Sequence, residues 1–587
     1  MSKNLKPLVS TLLAAVLSVG ANLPLSDTSG VNKTTVERAP LIDFATRFTP
    51  EVGDGNMVVG PERHASEAGL AMLKKGGNAI DAAVATGFAL AVTVPRAGNI
   101  GGGGFMLIHL AESNHDVFID YREMAPMAAT RDMFLKADGS VDQALVRFSR
   151  KAAGVPGTVA GLIHALENYG TLPLTTVIQP AIDLAENGFP MDTTLHRTLN
   201  ARSERLARDP ESQKIFLEGG TAAPAVGALF KQPELASTLK RIRDQGRDGF
   251  YTGKTAQLIA DDMAANGGLI TLDDLAAYEA VERTPVRGKF RDYDVLSSPP
   301  PSSGGVHVLQ ILNLLEPYPM REWGHNSAAY LHHLTEAMKL AYADRSVHMG
   351  DPDRTPVPVA ALISKDYANE RRQLIKDDRA TPSADIAAGE PGSAESKQTT
   401  HFSVADAAGN VVSNTYTLNF SFGSGITVPG TGMLLNNEMD DFASRPGFPN
   451  AYGLVQGEAN AVAPGRRPLS SMTPTIVFKN GKPWIATGSP GGSRIINAVV
   501  QTLLNAMVFD MNIAAASAEA RIHHQWQPDK IYTEEGISAD TVRLLEAMGH
   551  TVDMAPRTLG RMNSIQLEGN WRYGYADMRR PGGFVAY

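Results

Sequence analysis

From His64 onward the chain switches between two hydrophobic periods, and the switches mark out its elements. Residues 64–75 carry apolar positions at helical spacing and stop at Gly76-Gly77, where glycine can end a helix. Asn78 then offers an N-cap for a second helix over 79–92. Its Ile80, Ala83, Val84, Phe88 and Val92 leave little polar surface, and a helix apolar on most sides is a buried one. Residues 145–285 read as mostly helical, punctuated at Gly154, Gly157 and Pro173. Leu331, Leu334, Met338 and Ala341 place another helix over 330–345. At Asp378 the pattern stops. From there to Gln398 small, charged and proline residues follow without apolar period, the composition of a mobile tail. At Thr399-Thr400-His401 a period of two begins abruptly. Residues 402–406 read as a strand, 407–410 as a turn and 411–418 as the returning strand. Pairing Asp406 with Val411 sets Thr400 opposite Thr417 and leaves Thr399 beside Thr417, within reach across neighbouring strands.

The N-terminus follows neither period. Lys3 and Lys6 precede an apolar run over 8–21 that ends in the small residues Val19-Gly20-Ala21. This reads as a cleaved secretory signal over residues 1–21, and the run is short for a membrane span. Residues 30–55 read as an extended lead-in. The implied destination is the periplasm or the exterior, and a chain without cysteine suits a bacterial periplasm. Length alone allows roughly three to four average domains, although large α/β enzymes can keep one core. A net charge of −8 without any dense Lys/Arg block excludes the usual nucleic-acid binder. There is no internal repeat.

A mobile segment abutting a strand suggests a cleavage junction, dividing the chain into a helix-rich piece, 22–398, and a second piece, 399–587. The chemistry this allows is a threonine nucleophile at a strand start. A threonine hydroxyl needs a base, yet no Ser-His-Asp arrangement stands out and G-x-S-x-G is absent. The α-amine freed by cleavage can serve instead, because its pKa of about 7.7–8.0 leaves much of it neutral near neutrality. The other candidates are weaker. Gly101–Gly104 lacks phosphate-loop spacing, so a close-packed backbone is expected there. His332-His333 and His523-His524 lack H-E-x-x-H spacing and read as packing or surface histidines, so neither metal nor cofactor is expected. Taken singly, Thr399-Thr400 are ordinary strand residues, Arg122 a surface or structural ion pair, and Asp440-Asp441 after Glu438 an exposed acidic turn or a cation site.

Their sequence neighbourhoods change that reading. GGNAIDAAVA (76–85), GNIGGGGFM (98–106), DYREMAP (120–126), TTHFSVAD (399–406), TYTLNFSFGSG (415–425), LLNNEMDDF (434–442), RPLSSMTPT (467–475) and GSPGGSRI (488–495) follow one another across the chain. In this the sequence resembles the gamma-glutamyltranspeptidases, which are N-terminal-nucleophile hydrolases. The resemblance implies an α+β fold, a four-layer αββα sandwich. It implies cleavage between Gln398 and Thr399, with Thr399 as nucleophile, Thr417 supporting it, and the Gly491 and Gly492 amides receiving the oxyanion. Arg122, assisted by Ser470 and Ser471, matches the grip on a substrate α-carboxylate. Asn419, Glu438 and Asp441 match the groups that hold an α-ammonium, and Tyr452 matches a lid residue walling the pocket from solvent. The implied partners are glutathione, amino-acid or dipeptide acceptors and water, with the two pieces forming a heterodimer.

That set suits a zwitterionic end group, which asks for a cation and anions held apart. Arginine takes a carboxylate bidentately, and carboxylates match an ammonium's three donors. Three rivals remain. A glutaryl-cephalosporin-type acylase would have no α-ammonium to bind, so Glu438 and Asp441 count against it. A relative that processes poly-γ-glutamate shares the donor chemistry. A non-catalytic periplasmic amino-acid binding protein would need neither Thr399 nor Gly491-Gly492, and it would run as one band on a denaturing gel.

Overall fold

The period-two stretches become strands buried on both faces. In Gly103–Leu110, Phe105 and Leu107 turn one way into a small apolar layer with Met57, Val59, Ile476 and Ile565. Met106 and Ile108 turn the other way into a larger layer with Ile80, Val84 and Phe88. A strand wedged between a second sheet and a helix layer has no polar face, which explains its unbroken apolar run. The computed structural model describes residues 48–389, 400–448, 454–579 and 581–587.

Two seven-stranded antiparallel sheets form the centre. Their strands, in chain order, are β1 (Glu51–Asp54), β2 (Met57–Gly60), β3 (Gly103–Leu110), β4 (His115–Tyr121), β5 (Val281–Arg283), β6 (Val286–Phe290) and β7 (Tyr293–Ser297). They continue with β8 (Thr400–Ala405), β9 (Val411–Thr417), β10 (Thr475–Lys479), β11 (Lys482–Thr487), β12 (Asn563–Glu568), β13 (Trp571–Ala576) and β14 (Phe584–Ala586). One sheet runs β1-β13-β12-β11-β10-β7-β6 and the other β14-β2-β8-β9-β3-β4-β5. Helices α1 (Arg63–Lys74), α2 (Ala79–Thr93) and α3 (Thr158–Tyr169) cover the outer face of the second sheet. Helices α4 (Gly304–Leu315) and α7 (Ile513–Ala518) cover the outer face of the first. Behind α4 lie α5 (Ala328–His348) and α6 (Arg494–Met507). Three stacked apolar clusters, helix–sheet, sheet–sheet and sheet–helix, make the four-layer αββα sandwich.

Local signals placed the helices well. Asn78 caps α2 through Ile80 and Asp81, Asp81 answers as the partner of a capping box, and every residue of the helix is buried. Two features differ from the sequence reading. Asp406 pairs with Asn410 rather than Val411, because its backbone N–H donates to Asn410 O at 3.1 Å and its carboxylate accepts the Asn410 amide at 2.9 Å. Gly409, at φ +92°, completes this tighter loop. The register therefore shifts by one, and Thr400 faces Tyr416 instead of Thr417. The second difference concerns residues 378–389, which are pinned despite lacking apolar period. Ser383 N–H donates to Asp529, Trp526 Nε1 donates to the Ser383 and Ile386 carbonyls, and Gly389 N–H donates to Asp344. Such polar anchoring of a backbone leaves no trace in a hydrophobic pattern.

Candidate active site

Thr417 closes β9 at the point where two backbones nearly touch. A Cβ on Gly102 would lie 1.9 Å from the Thr417 carbonyl, so the glycine run is a close-approach surface. Asn99 clamps the junction, donating to Thr417 O at 2.7 Å and accepting from Gly102 N–H at 2.8 Å. The Thr417 hydroxyl accepts the Asn419 N–H at 2.7 Å, which turns the chain through Asn419 at φ +66°. Asn419 Nδ2 then donates to Asn437 O at 2.9 Å, tying β9 to the acidic turn Glu438–Asp441. Gly491 and Gly492 precede α6 with φ of +147° and +65°, a conformation that favours glycine. Thr417, Asn419 and Gly491 line one cavity of about 110 Å³ together with Arg96, Arg494 and Arg561.

Arg122 follows β4 and is buried among carboxylates. Its Nη1 lies 2.5 Å from Glu438 Oε1 and 3.3 Å from Glu123 Oε2, and its Nη2 lies 2.5 Å from Asp441 Oδ2. The Pro468 and Leu469 carbonyls accept its remaining donors at 2.9 and 3.3 Å. The cation and anions expected to stand apart are thus in direct contact. Burial opposes the Arg122 charge, but the three carboxylates outweigh it and push the guanidinium above its usual range. Burial pushes the Glu123 carboxyl up to about 7 against the pull of Arg122, and raises Glu438 well above the carboxylate range. One cation faces three acids. Among the described residues, Glu123 Oε1, Glu438 Oε2 and Asn419 Oδ1 are buried acceptors without a hydrogen-bond partner, an arrangement that costs free energy until a donor arrives.

Ser470 and Ser471 adjoin this cluster but turn their hydroxyls elsewhere. Ser470 Oγ accepts Met472 N–H at 3.1 Å, and Ser471 Oγ accepts Arg345 Nη2 at 2.6 Å. Contact with Arg122 from this segment runs through backbone carbonyls instead. Gln398, Thr399 and Tyr452 lie outside the described residues. Sequence reasoning missed Glu123, Asn99, Asn437 and Arg345. Glu123 sits inside the DYREMAP block and could have been suspected from its neighbour, whereas Arg345 had no signal beyond its helical period. The paired histidines are buried packing residues. His332, Glu336 and His550 bring three ligand atoms within 4.8 Å of one another. Lys339 Nζ already supplies a cation there, 2.5 Å from Glu336, and His332 hydrogen-bonds His550 directly at 2.7 Å.

Comparison with known proteins bears on the chemistry of this cavity. The glutathione hydrolase proenzyme of Escherichia coli (strain K12) is 49% identical over 546 residues, covering 92% of this chain and 94% of that protein. The acylase ACY 1 proenzyme of Pseudomonas sp. (strain SE83) is 41% identical over 531 residues, covering 89% and 92%. The crystal structure of cephalosporin acylase from Bacillus halodurans superposes with a TM-score of 0.83 at 29% identity, over 94% of this chain and 99% of that one. The family model described as Gamma-glutamyltranspeptidase matches residues 65–587, and the chain belongs to that family.

Proposed function

We propose that the protein hydrolyses or transfers the γ-glutamyl group of glutathione and related amides after cutting itself between Gln398 and Thr399. The observation that carries this reading is the set of orphaned buried acceptors, Glu123 Oε1, Glu438 Oε2 and Asn419 Oδ1. An α-ammonium supplies three donors and a positive charge, which such a set lacks. Asn419, Glu438 and Asp441 take the donor's ammonium, while Arg122, with Ser470 and Ser471 beside it, takes its α-carboxylate. Thr399 directly precedes the first residue of β8 in the chain, and Thr417 closes the strand that pairs with β8. Its hydroxyl attacks the γ-carbonyl, its own freed α-amine takes the proton, and the Gly491 and Gly492 amides receive the oxyanion. The amine leaves with that proton, and a γ-glutamyl ester remains on Thr399. Water, or the amine of an amino acid or dipeptide, then attacks the ester and regenerates the hydroxyl. Tyr452 walls the pocket against water. Residues 1–21 direct the chain to the periplasm or exterior, and the two pieces, 22–398 and 399–587, stay together as a heterodimer.

The likeness to two acylases keeps a glutaryl donor in view, and the acidic cluster argues against it. Glutarate has no ammonium to meet three acids. Purified protein is therefore expected to turn over a γ-glutamyl anilide, faster with a dipeptide acceptor, and to leave the glutaryl anilide nearly untouched. Asp441→Asn is expected to lower kcat/KM for the γ-glutamyl donor by roughly 30-fold or more, about 2 kcal/mol for breaking a buried charge pair. The glutaryl donor should lose less. Equal losses on both donors would remove Asp441 from the ammonium site and favour the acylase reading.

A further inference from the structure

Part of the wall of the Thr417 and Gly491 cavity has a different character from the Arg122 cluster. Arg96, Arg494 and Arg561 line it, and among the described residues no carboxylate does. Arg494 opens the 14-residue helix α6, whose N-terminal dipole adds positive potential. Phe420 and Ser421 form a partition shared with a second, wider cleft of about 700 Å³. That cleft is lined by Arg202, Arg205 and Arg208, against one acid, Glu204, and by Arg147, which Asp440 holds at 3.2 Å. Arg205 donates to the Ser421 carbonyl and lies over the Phe148 ring, so its position relative to the partition is set. Arg202 and Arg208 are exposed to solvent. A chain whose net charge is −8 thus concentrates cations on one wall of its cavity and the cleft beside it.

The donor cluster around Arg122 does not account for these arginines, because that cluster is acidic and none of Arg122, Glu123, Glu438 and Asp441 lines either cleft. We propose that the arginine-lined trough receives carboxylates on the leaving-group and acceptor side, so that the protein selects acidic peptides there. This rests on the proposed γ-glutamyl chemistry and names the class of peptide attached to the γ-glutamyl group. Guanidinium groups bind carboxylates in a fork geometry. Two clefts in succession give a peptide with several carboxylates contacts that a neutral amide lacks. Partly exposed charges also draw anions in from solution, an attraction that salt weakens.

The test uses the mature protein and three donors: a neutral γ-glutamyl anilide, γ-Glu-Glu-Glu and its uncharged-side-chain counterpart γ-Glu-Gln-Gln, with release of the aniline or leaving dipeptide as readout. The acidic tripeptide should be preferred over the glutamine one by about three- to tenfold in kcat/KM at low salt, the scale of a few exposed ion pairs. In about 1 M salt, where the Debye length is ~3 Å, the preference should largely disappear. The double variant Arg202→Gln/Arg208→Gln should reduce the same ratio at low salt, and Arg494→Gln should reduce it from the inner side of the partition. Equal rates on the two tripeptides would overturn the proposal, as would a preference that survives both salt and the substitutions. A fall of all three donors together in the variants would make the arginines structural and equally overturn it. Failure to turn over even the neutral anilide would instead sink the γ-glutamyl reading, and this one with it.

Discussion

Arg122 shows how much of a residue's role depends on what surrounds it. As a sequence position it suggests the grip on a substrate α-carboxylate, apart from the scissile junction. In the structure it is the cation that contacts Glu123, Glu438 and Asp441 within a buried cluster. Arg122→Ala is therefore expected to cost about 3–5 kcal/mol of stability, the usual consequence of stranding buried charge, besides crippling donor binding. Thermal melting and steady-state kinetics on the same preparation separate the two losses; an unaltered Tm would show that the cluster relaxes without it. Glu123 adds a pH dependence. Its folded-state carboxyl titrates near 7, above the ordinary glutamate value of about 4.3, with Arg122, Glu438 and Asp441 facing it. The folded protein holds that proton through a window in which the unfolded chain has lost it. Stability from this group is thus fullest below the lower value and falls as pH rises through about 7. Glu123→Gln should flatten the decline in Tm between mildly acid and mildly alkaline buffer, and a variant with the wild-type slope would assign the titration elsewhere.

At the scale of elements, the site depends on where the β8–β9 hairpin is closed. The alternation of 402–406 and 411–418 identified both strands, but their register was settled by Asp406 gripping Asn410. A one-residue slip reverses which face each side chain meets, so a local polar contact decides what stands opposite the strand start. The second constraint is the contact between the glycine run and β9. Gly102→Ala would drive a methyl group to within 1.9 Å of the Thr417 carbonyl. The expected cost is about 1–3 kcal/mol by urea denaturation, accompanied by a loss of activity from displacement of Thr417. Retention of full activity alongside the stability loss would show that Thr417 does not need its present position.

Across the whole molecule, the pieces on either side of residue 399 are interleaved rather than adjacent. In one sheet β8 and β9 lie between β2 and β3, while β14 flanks β2; in the other, β10 to β13 lie between β1 and β7. Both sheets thus join strands from both pieces edge to edge. Cleavage before Thr399 should leave a complex that elutes as one species on gel filtration and separates only when denatured. Thr399→Ala should remain a single folded, inactive chain, because no hydroxyl remains to attack the Gln398 carbonyl. Thr399→Ser should still cut, more slowly, having lost the methyl group that restricts its rotamer. A small piece beginning at another residue, or wild-type turnover from uncut Thr399→Ala, would end the mechanism. No helix among the described residues is long and apolar enough to cross a membrane. By itself the sequence determined what short-range order encodes: the capped helix behind Asn78, the two strands after Thr399, the close-packed glycines, and the family through its blocks of residues. Only the tertiary structure decided the register, the anchoring of 378–389, the Arg122 cluster with its added Glu123, and the arginine trough. The register turns on a polar contact four residues long and the others largely on Coulomb and hydrogen-bond contacts between residues distant in the chain, and hydrophobic periodicity carries no record of either.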